Sequence, residues 1–160
     1  MSIAVREMDP RDFIWLAALG TAARAQSSLD DICTALDDIV GHLWTPVAEV
    51  VIGCLDEMVR GDTLRMVGGK CSDSPVFMTT ATGLQSLSYL LAKPVARPAC
   101  PLGQVGMRLK LAFIDLMPAS ECRRTLEGAI CAYEGELERC ERQCVGCNAS
   151  GTFGRRWLEH

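Results

Sequence analysis

Between Pro118 and Cys147 the apolar and soft side chains fall at Leu126, Ile130, Tyr133, Leu137, Cys140, Cys144 and Cys147, at steps of 4, 3, 4, 3, 4 and 3. That alternation is the seam of an α-helix lying lengthwise along another helix. Glu and Arg fill the positions between, so the rest of the helix surface is solvated. A stripe this narrow cannot be buried by the helix that carries it. A second copy of the same helix is the simplest cover. The chain is therefore expected to be a homodimer joined through these seven C-terminal residues, with a small domain in front that the dimer positions.

The 160 residues suit one domain, or one small domain with a helical arm. With 49% apolar and 22% charged residues the chain can build a core and is not a disordered polymer. No apolar run approaches the ~18–20 residues of a membrane span. The first residues, MSIAVREMDPRDF, carry early acids and no apolar h-region, so a cytoplasmic protein is expected. Nine irregularly spaced cysteines read as reduced thiols rather than a disulfide framework. Residues 1–95 hold seven basic against twelve acidic side chains, and the remainder nine against eight, with no basic block to mark a nucleic-acid surface.

Local signals divide the chain into elements. Asp9-Pro10 caps a first, almost wholly apolar helix ending near Gly20 or shortly after, and 25–27 reads as a loop. Ser28 and Asp31 have capping-box spacing ahead of a second helix that Gly41 stops. Thr45-Pro46 repeats the cap-plus-proline signal for a third helix ending at Gly61, with Val47, Val50, Val51, Cys54, Leu55 and Met58 expected in the core. Residues 63–67 and 76–80 read as two strands flanking a polar tip, and a fourth helix spans about 83–92 with Leu84, Leu87, Leu90 and Leu91 inward. The proline-rich stretch 95–102 is the expected hinge, separating a domain at 8–94 from helices at 103–160. The expected fold class is mostly α with a small β-wing: a winged helix-turn-helix domain followed by a helical dimerisation arm.

The order three helices, β-ribbon, helix is that of winged helix-turn-helix proteins, and specific residues carry a closer resemblance. Leu43-Trp44-Thr45-Pro46 with Leu55, Met58 and Thr63-Leu64 resembles the turn and third helix of PadR-like transcriptional regulators. Thr80-Ala81-Thr82-Gly83 leading to Leu87, Leu90 and Leu91 is similar to their passage from wing to helix. The segment from Met107 to Pro118, with Glu121, Arg123 and Arg124, looks like the start of their dimerisation domain, and Ala132–Leu137 like part of its long helix. The resemblance implies a cytoplasmic dimer, a repressor of transcription, whose paired third helices meet double-stranded operator DNA. Carried over residue by residue, it places Thr45, Val47, Ala48 and Glu49 in the groove, and Arg60, Arg65 and Lys70 against phosphates. It also implies a small apolar ligand between the winged domain and the arm or at the dimer interface, with Trp44, Phe113, Tyr133, Phe153 and Trp157 as the aromatic candidates.

Where such regulators commonly carry a Tyr and basic residues along the third helix, this chain has Ile52, Asp56 and Glu57. Each neutralised phosphate needs a cation, so an acidic reading helix keeps open a second class: a winged helix that has exchanged DNA for a protein partner. A third class comes from Cys140, Cys144 and Cys147. Their spacing matches an iron–sulfur motif, but the barrel of ~200 residues that such enzymes need has no room here. The residues also fall on the helix seam, where free Cys packs as a small hydrophobe. Thiolates on one helix face could instead hold a soft metal with a fourth ligand from elsewhere, or sense redox state. No catalytic constellation or phosphate-binding loop is present, and neither an enzyme nor a resident cofactor is expected. His42 and His160 read as a polar contact and a solvated terminal residue.

Overall fold

The computed structural model describes residues 6–68, 75–95 and 97–146. Six helices and three short strands follow in chain order: α1 (Pro10–Arg24), β1 (Ser27–Ser28), α2 (Leu29–Val40), α3 (Ala48–Arg60), β2 (Leu64–Val67), β3 (Val76–Thr79), α4 (Ala81–Ala92), α5 (Pro101–Phe113) and α6 (Ala119–Gly146). Single 3-10 turns, Gly41–Leu43 and Ile114–Leu116, follow α2 and α5.

The caps form where the residue chemistry demands them. The Asp9 carboxylate accepts from the backbone N–H groups of Arg11 and Asp12, and the Asp12 carboxylate accepts from Asp9 N–H in return. Ser28 and Asp31 repeat this reciprocal box at the start of α2. Gly41 ends α2 at φ +59°, a left-handed conformation that costs glycine no Cβ clash. α1 runs past Gly20 to Arg24 because Gly20 is a packing position rather than a stop.

α1 is the central helix. Leu16, Ala17, Ala18 and Leu19 are fully buried, and α2, α3, α4 and α5 all pack against it. α5 does not belong to a separate arm. Val105 and Leu109 are completely buried, and α5 packs on both α1 and α2, so one core runs across the proline-rich stretch. Reciprocal gaps make this approach possible. A Cβ on Gly20 of α1 would sit 2.5 Å from the Phe113 ring of α5, and one on Gly106 of α5 would sit 2.9 Å from Phe13 of α1. Each helix offers a glycine to the other's phenylalanine, which brings the two backbones close.

β2 and β3 pair antiparallel, with Leu64 opposite Thr79 and Val67 opposite Val76. β1 adds a third strand on the other edge of β3, with Ser27 opposite Phe77, so the expected loop at 25–27 ends in a strand. Ser27 is buried there. None of the helices among the described residues is long and apolar enough to cross a membrane.

Candidate nucleic-acid interface

The start of α3 is shifted from its expected position. Thr45-Pro46 does not cap it: Trp44 and Val47 are extended, and the helix opens at Ala48 with no side-chain cap. Trp44 is packed edge-on against Phe13, 5.7 Å between ring centroids. The free backbone N–H of Val50 is bound instead by the Val47 carbonyl. Val51, Cys54, Leu55 and Met58 face the core as expected, but Val47 and Val50 do not: they are 63% and 53% exposed.

The opposite stripe of α3, Glu49, Ile52, Gly53, Asp56 and Arg60, is open to solvent. Thr45, Val47, Ala48 and Glu49 thus share one uncovered end of the helix. Arg60 is exposed, its Nε donating to the Asp56 carbonyl at 3.2 Å, and Arg65 is exposed on β2. Lys70 lies outside the described residues. Of the three acids on α3 beyond its first turn or at its start, Glu57 is half-buried and ion-paired with Arg11 of α1, which removes it from the open face. Glu49 and Asp56 remain there. The face is therefore apolar at Val47, Val50 and Ile52, acidic at two positions and cationic at Arg60 and Arg65.

The hairpin is fixed to α3 and α4 through Thr63, Thr80 and Gly83. Thr63 Oγ1 donates to the Met58 carbonyl at 3.0 Å. Thr80 Oγ1 donates to the Asp62 carbonyl at 2.5 Å and accepts from Gly83 N–H at 3.0 Å, capping α4. A Cβ on Gly83 would fall 2.0 Å from the Thr63 carbonyl oxygen. Only a glycine lets the first turn of α4 lie on the root of β2, which is the physical content of the Thr-x-x-Gly pattern. α4 begins at Ala81, and its Leu84 is half exposed while Leu87, Leu90 and Leu91 are buried.

α6 is a 28-residue helix, and its seam is bare: Leu126, Ile130, Tyr133 and Leu137 are 38%, 58%, 42% and 60% exposed. Cys140 is exposed too, while the Cys144 side chain and Cys147 lie outside the described residues. Between α5 and α6 an apolar groove of about 500 Å³ is lined by Met107, Leu111 and the four large seam residues.

Residues 3–160 match the family described as "Putative AphA-like transcriptional regulator". The chain belongs to that family. No match to a curated protein was found. Similar solved structures include Bacillus subtilis PadR in complex with operator DNA, at 17% identity and a TM-score of 0.45 over 91% of this chain and 86% of that one. They also include PadR alone, at 17% identity and 0.46 over 91% and 78%. PadR with p-coumaric acid follows at 16% identity and 0.46 over 95% and 94%.

The other expected site residues of this AphA-like regulator are dispersed. Phe113 is buried over Gly20 and Trp44 is partly buried edge-on against Phe13, and neither lines the groove beside Tyr133; Phe153 and Trp157 lie outside the described residues. Tyr133 Oη reaches the Pro98 carbonyl at 3.4 Å. Cys33 and Cys54 are held above the usual thiol range by burial, which suits packing rather than thiolate chemistry. Sequence reasoning missed two buried lysines. Lys93 Nζ lies 2.5 Å from the Asp12 carboxylate, and Lys110 Nζ donates to the Lys93 carbonyl at 2.6 Å. A Lys within an amphipathic helix is read as solvated by default, and only the tertiary packing reveals otherwise.

Proposed function

We propose that the protein is a dimeric DNA-binding repressor of transcription in the cytoplasm. Its α3 start and β2–β3 hairpin would meet operator DNA, and its α6 seam would join two copies. The observation that carries this reading is the open end of α3. Thr45, Val47, Ala48 and Glu49 are left uncovered at the start of α3, Arg60 is exposed at its other end and Arg65 on β2, and Val47 and Val50 stay exposed although their side chains could equally have packed. A transcriptional regulator built on helices of this order reads DNA with such an element, base edges being read in the groove and cations meeting phosphates. Lys70 would add a third cation at the wing tip. The exposed seam Leu126, Ile130, Tyr133, Leu137 and Cys140 supports the dimer. A signal sensed through the C-terminal helices would change the spacing of the two α3 helices and so operator affinity.

The acids Glu49 and Asp56, with exposed Val50 and Ile52, favour one second reading: the same face docks a protein rather than a duplex. Binding to random duplex DNA, measured on the dimer at low and at physiological salt, separates the two. Binding that falls steeply with salt supports the repressor. A folded dimer that binds no DNA at low salt refutes it.

A further inference from the structure

Ala48, Glu49, Ile52, Gly53 and Asp56 stand at i, i+1, i+4, i+5 and i+8 of α3, on one face of the helix, and all are open to solvent. Val47, at the N-cap, is exposed beside them. Among the described residues no neighbouring atom lies within 4 Å of a Cβ built on Gly53, so the middle of this face is bare down to the backbone. From Thr45 to Asp56 no side chain carries an N–H group. Arg60, the first that does, is 12 positions beyond Ala48, about 18 Å along the helix axis.

This inventory decides which bases the face can tell apart. In the major groove guanine offers two acceptors, N7 and O6, and adenine is read through N7 and N6 together, so their usual partners are Arg, Lys, Asn or Gln. None of these stands at the start of α3. Cytosine offers its N4 amino donor to a carboxylate, and thymine offers its C5 methyl to hydrocarbon. Glu49 is the one acid in the first turn of α3, with the hydrocarbon of Val47, Ala48 and Ile52 on either side of it in sequence. Thr45 adds a hydroxyl, which serves any base or a phosphate and discriminates least. A carboxylate among phosphates is repelled, so Glu49 disfavours every duplex that lacks a matching donor.

We propose that α3 reads pyrimidines: Glu49 accepts from the N4 amino group of a cytosine, and Val47, Ala48 and Ile52 pack on the C5 methyls of neighbouring thymines in each half-site. The proposal rests on the repressor reading and names the class of duplex that reading requires. Arg60 and Arg65 position the protein on phosphates and carry no sequence information.

The test starts from a pool of duplexes with a randomised centre, enriched on the full chain at low salt. Each enriched half-site is expected to hold a cytosine beside thymines. In anisotropy titrations of the enriched duplex, deoxyuridine in place of those thymines should weaken binding roughly fourfold for each methyl buried. N4-methylcytosine should weaken it by a factor of roughly five or more, while 7-deazaguanine on the opposite strand should leave it unchanged. Glu49→Gln should move the preference at that pair from cytosine to adenine, since glutamine pairs with adenine N6 and N7. Ile52→Ala should lose its share of the uracil effect. Both side chains are exposed, so circular dichroism should not change in either variant. The proposal is overturned if uracil is tolerated throughout, if N4-methylcytosine binds as well as cytosine, if 7-deazaguanine weakens binding, or if Glu49→Gln keeps the cytosine preference. Those outcomes leave the repressor reading standing, because a specific duplex is still bound. A folded chain that enriches no duplex overturns that reading and this proposal together.

Discussion

Replacing Lys110 by Met isolates the energetic cost of the buried ammonium. Its pKa is lowered from 10.5 to about 8 in the folded protein because burial disfavours the charged form. Between those values the unfolded chain holds the proton and the folded chain does not. Folding therefore releases a proton in this window, and stability rises as pH rises. A gap of about 2.5 pH units corresponds to roughly 3 kcal/mol, with a slope near 1 kcal/mol per pH unit at mid-window. Cys33 and Cys54 act with the opposite sign: their folded pKa values are raised by burial, so the unfolded chain loses those protons first and stability falls. Both thiols are present in either protein and cancel in the difference. Urea unfolding, followed by tryptophan fluorescence at fixed protein concentration from about pH 7.5 to 10.5, should show the unsubstituted chain gaining about 3 kcal/mol on Lys110→Met. Parallel curves would mean that the Lys110 ammonium is solvated in the folded protein, and the reasoning would fail.

Three further outcomes follow from packing. Gly83→Ala removes a poor helix former, yet should destabilise by about 1–3 kcal/mol in a thermal melt, because its Cβ must displace the Thr63 carbonyl at the root of the hairpin. Gly20→Ala should also destabilise by about 1–3 kcal/mol, and the loss should shrink when Phe113→Leu is added, a coupling that a double-mutant cycle reads directly. Ile130→Glu with Leu137→Glu should halve the sedimenting mass while leaving the far-ultraviolet spectrum intact, since both side chains are more than half exposed in the single chain.

The local chemistry of the sequence was enough to place most elements. Asp9-Pro10, Ser28 with Asp31, and Thr80 act on backbone N–H groups within three residues, so their effects are visible in the chain itself. Thr45-Pro46 misled because it carries the same signal while tertiary packing, with Trp44 seated on Phe13, keeps the next residues extended. Ser27–Ser28 is a strand only through its pairing with β3, some fifty positions away, and two residues show no alternation. The placement of α5 turned on the Gly20–Phe113 and Gly106–Phe13 fits, and such complementarity cannot be read before the partner helix is known. Val47 and Val50 were expected inside because apolar residues usually are; both are exposed, and residue type alone does not separate such a position from a core one. The same default hid Lys110 among the surface lysines.

In the proposed function, the open face of α3 and the hairpin would meet DNA through few cations in a two-fold dimer. If Arg60, Arg65 and Lys70 of both copies each neutralise one phosphate, log K should fall against log salt with a slope of about −5. The most direct measurement is that slope on duplex DNA, for the unsubstituted dimer and for Arg65→Ala. A slope near this value is expected, becoming shallower by about 2 in the variant, one phosphate being lost from each copy. A slope that Arg65→Ala leaves unchanged, or the absence of salt-dependent binding by a folded dimer, would contradict it.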